Sequence, residues 1–151
     1  MDNAEVIVKA DGSGRRALSE HESKKLLSSY GVPVVRETVA GTPAEAVAVA
    51  KEIGFPVVLK GLGATLLHKT ERGLVHLNLT GEEAVQKAAL AIESEAKDEL
   101  EGILVQPYLS GRREFVAGLS YDPAFGPVVM FGIGGIFTEA LSDITLRVAP
   151  L

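Results

Sequence analysis

The apolar positions of this chain switch repeatedly between a helical and an alternating period, and the switches fall at recognisable start and stop residues. Residues 1–16 carry no such period. They are polar, with Asp11-Gly12-Ser13-Gly14 as a turn cluster, and read as a flexible lead-in to a domain spanning 17–151. Ser19 followed by Glu22 is a capping-box pattern, Leu26 and Leu27 supply an apolar stripe, and Gly31 with Pro33 stops that first helix. Residues 32–39 read as a strand. Thr42-Pro43-Ala44-Glu45 starts a second helix, which runs to Gly54 before Pro56. Residues 55–60 form a compact apolar strand ending on Lys60, 61–73 a loop, and 74–79 an alternating, half-buried strand. Thr80 with Glu83 is a third capping box, opening a helix to about residue 97. Residues 103–109 are the next strand, 110–113 a tight connection, and 114–121 a strand expected to pair back on 103–109 as a hairpin. A turn at 122–127 leads into 128–137, which begins as a strand and passes into a glycine loop, and 144–150 is a final strand. Hairpins outnumber β-α-β units in this order, which predicts an α+β fold over a doubly wound parallel sheet.

Composition narrows the chemistry. The 151 residues suffice for one domain with a core, or two small lobes. Fifteen basic against twenty acidic residues, with no basic stripe, give no electrostatic footprint for nucleic acid. The absence of cysteine excludes disulfides, thiolate catalysis and zinc–thiolate sites. No apolar run reaches the ~18 residues of a membrane span, and the N-terminus lacks a signal-peptide core, so no membrane association and a cytoplasmic location are expected.

Several residues could carry chemistry. Lys60 shares a strand face with Val58 while Val57 and Leu59 take the other. It fits either a point charge above phosphates or a solvated lysine at a strand end. His68, beside Lys69 and Thr70, is either a loop imidazole that accepts a phosphoryl group or an exposed histidine. His21 and His76 carry only the structural reading. Gln106, Pro107, Tyr108 and Leu109, followed by Glu114, offer extended backbone for a purine edge and a carboxylate for ribose hydroxyls, or simply a hairpin with a surface glutamate. The cluster Gly132, Gly134, Gly135 is a tight turn or an anion nest. It is not a dinucleotide fingerprint, because the third glycine position holds Phe137, and no Walker sequence is present. Glu139 and Asp143 are oxygen donors of the kind Mg²⁺ prefers, and Arg147 could clamp a phosphoryl group; each is equally an ordinary surface charge.

Taken in order, the segments 17–37, 54–60, 66–79, 102–109 and 113–151 resemble the ATP-grasp part of ADP-forming (NDP-forming) acyl-CoA synthetases. The most specific matches are the His68-Lys69-Thr70 loop and the stretch 122–139. The resemblance implies an ATP-grasp fold, incomplete at its C-terminal end, closing on ATP or ADP with Mg²⁺. It implies that Lys60 meets the nucleotide phosphates, Gln106 to Leu109 the adenine, and Glu114 the ribose. His68 would be the phosphorylated residue, exchanging phosphate with a CoA-binding ligase subunit or domain in an oligomeric enzyme. Two departures stand out. Gly73-Leu74 replaces the family's adjacent glycines, and the family's metal ligands fall beyond Leu151, so the metal site has no assignment here and the chain reads as a truncated, inactive part of the catalyst. The alternative is a non-catalytic regulatory module, as in protein acetyltransferases with a synthetase-like region.

Overall fold

The computed structural model describes residues 18–63, 66, 69–111, 114–134 and 144–151. The chain divides into two compact units, Met1–Tyr108 and Leu109–Leu151. No helix among the described residues is long and apolar enough to cross a membrane.

In the first unit, helix α1 (Glu20–Ser29) begins with the expected capping box: Glu22 N donates to Ser19 Oγ at 3.3 Å, and Ser19 N donates to Glu22 Oε2 at 2.8 Å. Helix α2 (Pro43–Ile53) has Thr42 as its cap, its hydroxyl accepting from Glu45 N, and ends on Gly54 at φ 89°. Helix α3 (Glu82–Ala96), followed by a 3-10 turn (Lys97–Glu99), differs from expectation. Its cap is Gly81 in an extended conformation with no side-chain hydrogen bond, so Thr80 lies one residue outside the helix and the Thr80–Glu83 box does not form. Glycine at this position loses little, since it opens the first-turn amides to water.

The sheet has the order β1 (Thr38–Ala40), β4 (Gly102–Pro107), β2 (Val57–Leu62), β3 (Val75–Leu79), every ladder antiparallel. This corrects three expectations. The strand foreseen over 32–39 is confined to Thr38–Ala40. Pro33 has no amide to donate, and the Glu37 carboxylate is taken up by His21 and Lys24 of α1. Strand β2 continues past Lys60 through Gly61 and Leu62. Finally, β4 does not form a hairpin with β5: both of its edges are already occupied, by β1 and β2. One face of this sheet is covered by α2 and α3. Ala46, Ala50, Val57, Leu59, Leu74, Val85, Ala89, Ile92, Ile103 and Val105 close the core between them. Even-numbered residues of β2 and β4 therefore face the other way.

The second unit is the meander β5 (Phe115–Asp122), β6 (Gly126–Ile133), β7 (Ile144–Val148), again antiparallel throughout. The β5–β6 turn is set by Asp122, whose Oδ1 accepts from Ala124 N and Phe125 N, and by Gly126 at φ 78°. Phe115 and Phe131 stack diagonally across this hairpin, centroids 5.5 Å apart.

All-antiparallel sheets, with α2 and α3 packed on one face of the first, agree with the α+β expectation.

Candidate functional site

Lys60 is the starting point. Strand β2 is central, with Lys60 opposite Leu104 of β4 and Val75 of β3, and Val58 opposite Gln106. Directly opposed residues share a sheet face, so Lys60 and Gln106 project from the face turned away from α2 and α3. Lys60 is half-buried rather than a solvated strand-end lysine.

Helix α1 supplies the other polar groups of this face. Lys60 Nζ donates to Glu20 Oε1 at 2.6 Å, and Lys24 Nζ donates to the same oxygen at 2.8 Å. Lys24 also donates to Glu37 Oε2 at 2.5 Å and to Gln106 Oε1 at 2.9 Å. His21 Nδ1 lies 2.8 Å from Glu37 Oε1. The Glu37 carboxylate is almost completely enclosed, its side chain 6% exposed. Burial pushes the Glu20 carboxyl upward, but the Lys24 and Lys60 ammonium groups outweigh it and leave the group below its ordinary value. Burial pushes Lys24 down, and Glu20 and Glu37 more than reverse this, so its ammonium holds its proton above the usual range.

These shifts give α1 a pH window. The depressed Glu20 carboxyl contributes stability that is present above its ordinary value of 4.5 and lost as pH falls through the lower folded value. The raised Lys24 contributes stability that is complete below its ordinary value of 10.5 and lost as pH rises through the folded value. Helix α1 buries none of its residues fully, so these contacts matter to its docking. Amide exchange of α1, measured by NMR and divided by the intrinsic rate at each pH, is expected to stay slow between these limits and to accelerate beyond either one, before α2 and α3 respond. Equal acceleration in all three helices would contradict it.

Sequence reasoning missed Glu20, Lys24 and Glu37, and read His21 as structural only. The i, i+4 spacing of Glu20 and Lys24 was a visible signal. Their junction with Lys60 and Gln106, forty and eighty-two residues apart in sequence, was not.

Of the remaining expected residues, Pro107 lines a cavity of about 160 Å³ bounded by Arg36, Glu37, Thr38, Val49, Glu52 and Ile53. Tyr108 N donates to Pro56 O at 2.9 Å, closing the end of the sheet. Leu109 and Glu114 belong to the second unit, where Leu109 is exposed and the Glu114 carbonyl accepts from Gly134 N at 2.8 Å. Gly132 lies inside β6, paired with Val116 and Ile144. Gly134 lies so close to the Glu114–Phe115 peptide that a Cβ would come within 3.1 Å of the backbone. Arg147, in β7, is exposed and donates to Leu146 O. His68, Gly135, Glu139 and Asp143 lie outside the described residues. Among the described residues no cluster of three or more His, Asp or Glu has the geometry to hold a metal ion. His76 Nε2 is buried with no hydrogen-bond partner among the described residues, and nothing in the structure explains it.

The loop after position 68 is anchored from both sides. Leu74 N donates to Lys69 O at 2.8 Å, Gly73 sits at φ 67°, and Arg72 reaches Glu99 at 2.9 Å. Leu74, where a second glycine was expected, is fully buried in the core. The turn needs one glycine for its left-handed backbone, and the next residue is a packing position.

Comparison with known proteins identifies the fold. A family profile described as the ATP-grasp domain matches residues 9–151. The β subunit of acetate–CoA ligase [ADP-forming] II of Pyrococcus furiosus is 39% identical over 97% of the chain, which spans 64% of that relative. A structure of Ca. Korarchaeum cryptofilum dinucleotide-forming acetyl-coenzyme A synthetase 1, in complex with coenzyme A, Ca-AMPCP and HgCl⁺, superposes with a TM-score of 0.92. It is 45% identical and covers 99% of this chain and 68% of its own. A second structure of that enzyme, with coenzyme A and Mg-AMPPCP and its phosphohistidine segment pointing towards the nucleotide-binding site, gives a TM-score of 0.85. It is 43% identical and covers 99% of this chain and 65% of its own. The profile match over residues 9–151, the sequence identity to these relatives and the shared fold establish that the chain belongs to the ATP-grasp domain family.

Proposed function

We propose that this chain is the nucleotide-binding part of an ADP-forming acyl-CoA synthetase of the acetyl-CoA type, in which phosphate passes between a phosphohistidine and ADP or ATP. The observation that carries this reading is Lys60 projecting, with Gln106 beside it, from the sheet face opposite the helical core, in a chain that superposes along nearly its whole length on a nucleotide-complexed synthetase. The overall reaction would be acyl-CoA + ADP + phosphate ⇌ acid + CoA + ATP.

Lys60 would hold the nucleotide phosphates as a compact, strongly hydrated cation. Gln106, Pro107, Tyr108 and Leu109 would meet the adenine, Glu114 the ribose hydroxyls, and Gly132, Gly134, Gly135 and Arg147 the phosphate side. His68 would be the relay: in the direction of ATP formation a neutral ring nitrogen takes the phosphoryl group as the N–P bond to the partner histidine breaks, and the new N–P bond then breaks as a terminal phosphate oxygen of ADP takes the group. Mg²⁺, when bound, would neutralise charge building on the phosphates. The described residues supply no ligand cluster for it. The CoA-binding and acyl-transferring groups would lie on a partner subunit or further domain of a cytoplasmic oligomer.

The test is titration calorimetry with ADP. The wild-type chain is expected to bind weakly, and Lys60→Ala to weaken binding about tenfold or more, the loss of a charge-assisted contact. In a protein that carries the remaining domains, His68→Ala is expected to abolish acid-labile, base-stable phosphorylation. Phosphorylation that survives removal of both His68 and the partner histidine would refute the relay.

A further inference from the structure

The contacts around Lys60 contain a feature the nucleotide reading does not require. Two ammonium groups, Lys60 from β2 and Lys24 from α1, converge on a single carboxylate oxygen, Glu20 Oε1, at 2.6 and 2.8 Å. Two cations on one oxygen is the environment a non-bridging phosphate oxygen accepts. The two lysines are otherwise unequal. Lys24 has three acceptors, one for each of its protons: Glu20, Glu37 and Gln106. Lys60 has Glu20 alone among the described contacts, which leaves donor capacity on the ammonium that the nucleotide would need.

We propose that Glu20 is a positioning residue that occupies Lys60 in place of a phosphate group, and that nucleotide binding displaces it from Lys60 but not from Lys24. This rests on the assignment of Lys60 to the nucleotide phosphates. Displacement is electrostatically favourable because a carboxylate of charge −1 is exchanged for a polyphosphate of higher charge. It is inexpensive because Glu20 and Lys24, one helical turn apart on α1, remain paired, so the released carboxylate is never left without a counter-ion in a half-buried position. Lys24 in turn stays fixed by Glu37 and Gln106. Helix α1 thus loses one attachment to the sheet when the site fills and keeps the others. Glu20 acts as an internal competitor: it sets the affinity for the nucleotide without touching it.

The consequence is a direction that a merely structural role would not give. Glu20→Gln removes the competing charge, and ADP is expected to bind about fivefold more tightly, the upper range for a partly screened ion pair. In the Lys60→Ala background the same substitution is expected to leave ADP affinity unchanged. A second measurement needs no variant. In the wild-type chain, the ¹³C resonance of the Glu20 side-chain carboxyl is expected to shift along the same binding curve as ADP is added, while that of Glu37 stays in place. ADP binding that depends on Lys60 but is unchanged or weakened by Glu20→Gln, or a Glu20 resonance that ignores ADP, would overturn the competitor role and leave the nucleotide reading standing. ADP binding that is absent, or indifferent to Lys60→Ala, would remove the nucleotide reading and this proposal with it.

Discussion

Gly63→Ala is expected to destabilise the protein by about 3 kcal/mol, the upper part of the range for forced overpacking of a fitted interior. A Cβ at this position would lie 2.2 Å from the Glu99 carbonyl oxygen and 3.0 Å from Leu66. The obstacle is backbone, which cannot rotate aside as a side chain would. It is held in place, since Glu101 N donates to Leu62 O at 2.8 Å and Arg72 pairs with Glu99 at 2.9 Å. Relief therefore requires the 3-10 turn to move as a body away from the end of β2. For a domain of this size the loss corresponds to a fall of about 10 °C in Tm, measured by circular dichroism. Gly111→Ala is the control: no atom lies within 4 Å of its Cβ, and Tm should hardly change. A Gly63→Ala protein with the wild-type Tm would show that the 3-10 turn yields freely.

Leu74→Gly, which supplies the second glycine that the family resemblance implies at this turn, is expected to destabilise the protein by about 4 kcal/mol. Removing a fully buried leucine costs both the transfer of its side chain and the cavity left behind, and a second glycine adds backbone freedom to the unfolded chain. Leu74 is wholly excluded from solvent, and its Cβ lies 3.5 Å from the position a Gly61 side chain would take. It is also the residue whose amide closes the turn onto Lys69. Chemical denaturation gives the measurement, with a lower midpoint at an unchanged m-value as the expected form. Stability equal to wild type would mean that neighbouring side chains refill the space. The turn at residues 69–73, which follows His68 in sequence, is thus tied at its exit to a core position.

The elements of the first unit were legible because each is marked locally. Ser19 and Thr42 cap their helices as their side chains dictate, and Gly54 ends α2 through its positive φ. The failures share one cause. Thr80 and Glu83 satisfy a local pattern, but the extended conformation of Gly81 moves the helix start by one residue. The expected β4–β5 hairpin is locally reasonable, yet β4 has both edges filled by strands far away in sequence. Local rules describe what a segment can do, and they do not say which of its edges another segment has already taken.

The candidate site divides in the same way. Lys60 at the end of an apolar run, the His68-Lys69-Thr70 loop and the 106–109 exit could be picked out one by one, because each has a residue type suited to its chemistry. Helix α1 reads from its sequence as a capped helix with an apolar stripe at Leu26 and Leu27, and His21 carries only a structural reading.

The sequence by itself determined the α+β class, most helix boundaries, the buried face of β2 and the family resemblance, all of which follow from side-chain period, caps and residue order over short distances. Only the tertiary structure decided that β4 lies between β1 and β2, that Leu74 is core, and that Glu20 and Lys24 meet Lys60 and Gln106. Those facts depend on antiparallel register and on the docking of α1. Both are settled by long-range burial and charge pairing, so no window of neighbouring residues contains them.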